Sequence, residues 1–509
     1  MKYPGSSGGG PKTDDPGSGK GGRSHGDERS LVGSPRANKT TSQRHDPIEE
    51  APALGREAAR VLRLNHMGGW TKAAPELYPH QWSWDSAFIA IGLAHLDTRR
   101  AARELETLFA HQWRTGKVSH IVFNPDAPPE SYFPGPDHWS CAASSPDAPP
   151  APPYTSCLSQ PPVHAIAALR IWEAARFAGE EEVSCARAFL GRIYPGLLSW
   201  HRYLMTYRDP EGSGLVTIYH PWGSGTDNSP RWDAPLEALA VGEVGPYPRY
   251  DLRHVGSPSQ RPTNAEYDRY LWLVDLIKRA HRCDEATIYE SHPFLIKDVL
   301  TSAILVAANE ALTEISSLVG APEDDRVLIS GWMARGRRGL EGCWDRELGL
   351  CLDYDLRAEE PIRVRTVAGF APLIAGSLSR TRLDALLRTF DSPDFCGHRG
   401  LRWPLPPSTS PEDPGFRPRS YWRGPIWPVV NWLLWWSLVR AGEVGRAGEV
   451  GRAERLRRTA LEQLAVRGFG EYFDPFTGQL LGSDNQSWTA AVALDWLAGE
   501  TPPGAKLAS

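Results

Sequence analysis

Leu77-Tyr78-Pro79-His80-Gln81-Trp82-Ser83-Trp84-Asp85-Ser86-Ala87-Phe88 is the stretch from which the fold is read. A proline and a dense cluster of polar and aromatic side chains run directly into the apolar residues 87–96, so the cluster stands at the entrance of a helix. The helix dipole favours an anion such as Asp85 there, although Asp85 could equally be an N-cap alone. The same construction recurs. Loops rich in tryptophan, arginine and acid precede a helix at 78–85, 157–162, 220–233, 418–428 and 471–488. If those helices ring a common axis, all five loops converge on one end.

Apolar periodicity predicts helices over 51–64, 87–96, 101–113, 163–178, 181–207, 265–280, 291–318, 325–343, 368–378, 380–388, 426–439, 454–466 and 488–497. Strand-like alternation is short, as at 349–356. There is no heptad seam and no fixed period, which argues against a coiled coil or a short-repeat solenoid. An all-α chain of about a dozen helices suits a closed ring of helix pairs. Residues 1–48 hold too few apolar side chains to offset their ordering entropy and read as a disordered tail. The polar connection 116–155 contains a proline-rich part, 146–153, that reads as a flexible insertion. A six-residue duplication at 441–452 reads as a loop expansion without function, and 501–509 as a flexible C-terminus.

The net charge is -5, from 61 acids against 56 bases, with no long block of like charge, so nucleic acid and anionic membrane are not expected partners. Twenty tryptophans favour a carbohydrate site, because aromatic rings stack on sugar faces as well as filling cores. The seven cysteines are scattered without a CxxC or ligand-like spacing, which fits reduced thiols in a cytoplasmic protein and gives no metal site. No apolar core follows the first lysine, so no signal peptide is expected. The most apolar run, 426–439, is interrupted by Pro428 and Asn431 and is too short for a membrane span.

Candidate chemistry begins in His220-Pro221-Trp222-Gly223-Ser224-Gly225-Thr226-Asp227-Asn228-Ser229-Pro230-Arg231-Trp232-Asp233, a loop broken by glycine and proline. Indoles beside Asp227 would exclude water and raise its pKa toward that of a general acid, whereas turn-making is the plainer use of Asp-Asn. In Pro418-Arg419-Ser420-Tyr421-Trp422-Arg423-Gly424-Pro425-Ile426-Trp427-Pro428, an arginine among aromatic planes suits a polar ring, and a buried tryptophan in a helix-start turn is the alternative. Glu471, after two glycines and flanked by aromatics, is placed as a base could be, or lies in a solvated turn.

Together these stretches resemble glycoside hydrolase family 63, and within it the bacterial glucosylglycerate and mannosylglycerate hydrolases, over roughly residues 50–500. The resemblance implies an (α/α)6 barrel across 49–500 with cap insertions at about 116–158 and 208–264. It implies inverting hydrolysis of a small α-glucoside, with glucosylglycerate the best match, no cofactor and no metal. Asp227 would be the general acid and Glu471 the general base, about 6.5 to 9.5 Å apart so that a water fits between. Tyr78, Trp82, Trp84, Asp85, Gln160, Trp222, Trp422, Arg423 and Gly424 would line the sugar subsite. Arg261, Tyr267, Tyr421 and Gln486 would hold the glycerate, with Tyr132 helping from the cap. The chain departs from the family pattern at Gly223, where a glutamate is expected, at Thr226, where a methionine is expected, and at Cys157, where a smaller residue is expected. Mannosylglycerate or a short α-glucan as substrate, an inactive sugar-binding protein, and a homo-oligomer are all compatible with the sequence. An epimerase or lyase would need a histidine pair, and His80, His120, His138, His164 and His220 show no paired arrangement.

Overall fold

The computed structural model of the protein describes residues 47–442 and 451–499. The expected N-terminal tail up to 46, the expected flexible C-terminus and residues 443–450 of the duplication lie outside the described residues. Twelve helices build the framework: α1 (Pro47–Leu64), α2 (Ser83–Leu93), α3 (Thr98–Phe109), α4 (His164–Ala178), α5 (Glu180–Tyr207) and α6 (Val299–Val319). They continue with α7 (Glu323–Gly342), α8 (Ala371–Ala375), α9 (Arg380–Asp391), α10 (Pro428–Arg440), α11 (Arg452–Arg467) and α12 (Ser487–Ala498).

Even-numbered helices pack in sequence, α2 on α4, α4 on α6, α6 on α8, α8 on α10 and α10 on α12, and α12 returns to α2. That closes an inner ring of six. The outer helices α1, α3, α5, α7 and α11 lie on α12, α2, α4, α6 and α10, and α9 follows α8. This is the (α/α)6 barrel.

Composition explains which helix goes inside. Every residue of α2 is buried, as is α12 through Leu497, because both are apolar on all sides. The outer helix α3 instead buries one stripe that includes Ala101, Ala102, Leu105 and Leu108. At the closure of the ring α2 and α12 come so near that a Cβ on Gly92 would stand 2.3 Å from the Ala491 Cα. Helix α6 is long and apolar enough to cross a membrane, yet it is mostly buried among α4, α5, α7 and α8, which is the behaviour of a core helix.

Several helix boundaries differ from expectation. The helix predicted from 291 begins at Val299, because Ile296–Lys297 forms a strand between Thr217–Ile218 and Tyr354–Asp355, and Asp298 then caps the helix by accepting from the Thr301 N–H at 2.6 Å. The helix predicted over 368–378 shortens to α8, preceded by a 3-10 turn and stopped by Gly376 in the left-handed region. The second cap insertion runs on past 264, and in it the helix predicted over 265–280 is α-helical at Asn264–Asp275 and continues as a wider π turn. The proline-rich run 146–153 is irregular but anchored, the Asp147 carbonyl accepting from the Arg114 N–H. Cap residues such as Trp139, Tyr267, Tyr270 and Ile277 share a second, aromatic-rich core with Tyr78, Trp82 and Trp222 from the loops.

Candidate active site

The five loops do converge. One cavity, with a free volume of about 70 Å³, is lined by residues of all of them and of the cap. Of the residues anticipated from sequence, Tyr78, Trp82, Trp84, Asp85, Tyr132, Gln160, Trp222, Asp227, Arg261, Tyr267, Tyr421, Glu471 and Gln486 line it.

Trp422, Arg423 and Gly424 do not. The Trp422 ring lies flat on Trp427 at 3.7 Å between centroids, filling the core behind the cavity. Arg423 makes a two-pronged ion pair with Asp233, at 2.7 and 2.6 Å, and points away. Gly424 is pressed against the Arg417 carbonyl, 2.7 Å from where a Cβ would be. These three support the wall rather than form it. Conversely, Asp251, His120, Gly225, Pro262, Leu77 and Trp488 line the cavity without having been singled out as site residues. Asp251 lies in the cap insertion, where nothing in the local sequence marks a site.

Asp227 sits on a rigid loop. His220 Nδ1 accepts from the Trp222 N–H at 3.0 Å and starts a 3-10 turn at Pro221–Ser224, which ends at Gly225 with φ +71°. A Cβ on Gly225 would meet the Trp84 ring at 2.7 Å, so only glycine lets the loop lie against the floor of the site. Thr226, one of the unfamiliar residues, accepts from Arg231 Nη2 at 2.7 Å, and Arg231 is in turn paired with Asp353 at 2.7 Å and Asp298 at 3.1 Å. The other, Gly223, faces the Ser159 carbonyl. Tyr270 donates to the Asp227 carbonyl at 3.1 Å. Burial drives the Asp227 carboxyl up to about 7; the charge of Arg261 opposes this and that of Glu471 adds to it.

Glu471 precedes the strand Tyr472–Phe473, which pairs with Leu480–Leu481, so the hairpin's return brings Ser483 back to it. Tyr78 donates to Oε1 at 2.6 Å and the Ser483 N–H to Oε2 at 3.1 Å, and Arg261 Nη1 stands 4.0 Å from Oε1. Burial raises its pKa above the ordinary value, while Arg261, Tyr78 and Ser483 all hold it down. Asp85, at the first turn of α2, is pushed well up, by burial first and then by Glu471 and Asp227. A neutral Asp85 is a hydrogen-bond donor.

Arg261 lies 4.2 Å over the Tyr421 ring, donates to Tyr78 at 3.0 Å and reaches Asp251 at 3.4 Å. Gln486 Oε1 accepts from Ser483, whereas its Nε2 is buried without a partner. An unpaired buried donor on a cavity wall is a group awaiting a ligand. The histidines are otherwise occupied. His120 is bonded to Ser156 and driven by burial down to about 3, and His220 bridges Trp222 and the Tyr270 carbonyl.

Residues 78–489 match the sequence profile of the mannosylglycerate hydrolase MGH1-like glycoside hydrolase domain. The chain is 45% identical over 453 residues to the glucosylglycerate hydrolase of Mycolicibacterium hassiacum, covering 89% of this chain and 99% of that one. It is 41% identical to the mannosylglycerate hydrolase of Thermus thermophilus, covering 86% and 99%. Among solved structures, a GH63 mannosylglycerate hydrolase from Thermus thermophilus in complex with Tris and D-glycerate superposes with a TM-score of 0.78 at 40% identity, covering 87% of this chain and 99% of that one.

Proposed function

The chain belongs to glycoside hydrolase family 63, in its mannosylglycerate hydrolase MGH1-like group, and on that premise we propose that it hydrolyses glucosylglycerate to glucose and glycerate with inversion at the anomeric carbon. The observation that carries this reading is a single small cavity holding Asp227, Glu471 and Arg261 together.

Asp227, whose carboxyl titrates near 7, retains a proton at neutral pH and gives it to the glycosidic oxygen as the bond to the anomeric carbon breaks. Glu471, whose burial is opposed by the Tyr78 and Ser483 donors and by the charge of Arg261, takes a proton from a water that attacks the opposite face. Inversion follows because only one displacement occurs. Asp85 is placed to hydrogen-bond a sugar hydroxyl, and Trp82, Trp84 and Trp222 supply apolar ring faces. The leaving group is an anion. The Arg261 guanidinium and the orphan Gln486 Nε2 suit its carboxylate, since a planar fork pairs with two oxygens at once.

Mannosylglycerate is the second reading, motivated by the Thermus thermophilus relative, and shares the same anionic half. The test follows the anomer released from glucosylglycerate, mannosylglycerate and a neutral glucoside by NMR. We expect glucosylglycerate to give β-glucose first and to be preferred. In Arg261→Ala that preference over the neutral glucoside should fall by roughly 10- to 100-fold, the weight of a charged hydrogen bond. Initial α-anomer would remove inversion, and turnover of the neutral glucoside alone would remove the glycerate assignment.

A further inference from the structure

Three of the seven cysteines meet in space. Cys141, Cys157 and Cys283 bring their sulfurs within 4.8 Å of one another, and each is no more than 4% exposed. They come from three separate places. Cys141 opens the short helix Cys141–Ser144 in the first cap segment, and Cys157 lies three residues before the cavity residue Gln160. Cys283 lies in the turn between the cap helix that carries Tyr267 and the helix Glu285–Ser291. Arg282 and Cys283 are both in the left-handed region, at φ 51° and 55°, an unusual pair of non-glycine residues in a turn that leaves the Cys283 thiol beside the other two.

The spacing suits a metal. A zinc–sulfur bond of about 2.3 Å sets tetrahedral sulfurs roughly 3.8 Å apart, so the three thiols need only a small contraction to share an ion. A disulfide would join two of them and strand the third.

The surrounding charge suits it too. Lys117, 1% exposed, pairs with Glu285 at 2.9 Å, and Arg208 reaches the same carboxylate at 3.2 Å. Two buried cations thus share one buried anion beside the thiols. Buried charge is costly unless matched. Three thiolates around a divalent cation bring a net single negative charge, which balances that excess, whereas three neutral thiols leave it standing.

We propose that Cys141, Cys157 and Cys283 form a structural site for a divalent thiophilic cation, zinc by its chemistry, that pins the two cap segments beside the catalytic cavity. Each thiol releases its proton to solvent as its sulfur binds, so three protons leave per ion. No fourth His, Cys, Asp or Glu joins them among the described residues, which leaves the fourth position to a backbone carbonyl or water. The ion takes no part in glycoside cleavage and acts by holding in place the segments that carry Gln160 and Tyr267.

The test uses the full chain, purified under reducing conditions and stripped with a chelator, then titrated with cadmium and zinc chlorides. We expect a sulfur-to-cadmium charge-transfer band that saturates at one equivalent, displacement of pre-bound zinc by cadmium, and a higher melting temperature with either metal. The band should disappear in Cys141→Ser, Cys157→Ser and Cys283→Ser and persist in Cys185→Ser. The wild-type titration stands even if a variant fails to fold. Absence of the band from reduced wild type at one equivalent overturns the proposal. So does its survival in any well-folded variant of the three, or a mass two hydrogens light in unreduced protein that maps to a disulfide between two of them.

Discussion

Glu471 receives donors from Tyr78 and Ser483 and stands 4.0 Å from Arg261. The Asp227 carboxyl, in the same cavity, receives no side-chain hydrogen bond among the described residues, and its loop is held instead through backbone, Thr226 and Arg231. One carboxyl has donors that offset its burial; the other is positioned by its loop without side-chain donors of its own. The difference teaches how one cavity can hold an acid and a base: burial acts on both, and the donors act on one.

The largest effect expected is on turnover. Asp227→Ala and Glu471→Ala should each lose on the order of 10²- to 10⁴-fold in kcat on glucosylglycerate. The two should part company on a glucoside with an activated leaving group, which needs no proton: Asp227→Ala recovers and Glu471→Ala does not. Equal recovery would erase the distinction. Next, the pH dependence of kcat/KM should be bell-shaped, with an alkaline limb near pH 7 as Asp227 loses its proton. The acid limb, from Glu471, should lie above the ordinary glutamate range. Tyr78→Phe removes the 2.6 Å hydrogen bond to the base, so the acid limb should move to higher pH while the alkaline limb stays. Movement of both limbs would mean that the two carboxyls titrate as one unit.

Stability gives the smaller effects. The folded-state pKa of Asp227 is raised, so its contribution is most favourable at low pH and is lost as pH climbs from about 4 through about 7. Asp227→Asn should flatten that part of the melting curve against pH. Gly225→Ala forces a Cβ against Trp84 at φ +71° and should cost roughly 1–3 kcal/mol by denaturant titration, tilting the acid as well.

The ring of helices was legible because inner helices such as α2 and α12 are apolar on nearly every side and the entry loops repeat one chemistry. Residues 78–85 and 220–233 announce the cavity for the same reason. Residues 418–428 mislead in part, because a run of aromatics and arginines does not say which side chains face inward: Tyr421 does, while Trp422 stacks on Trp427 and Arg423 turns to Asp233. Asp251 and the cysteine trio were not legible. Asp251 stands ten residues from Arg261 without any motif linking them, and Cys283 is far in sequence from Cys141 and Cys157; the packing of the cap brings each to its partners. The helix predicted from 291 failed on the buried strand Ile296–Lys297, which periodicity alone does not separate from a buried helix turn.

The closure of the ring at Gly92 and Ala491 has a bearing on the order in which the enzyme is made. The acid loop and five of the six inner helices leave the ribosome before Glu471, Gln486 and α12 do. Until α12 docks against α2, the apolar faces of both lie open and the cavity lacks the wall that Gln486 and Trp488 supply. The final helix of the barrel is therefore also the one that completes the cavity wall.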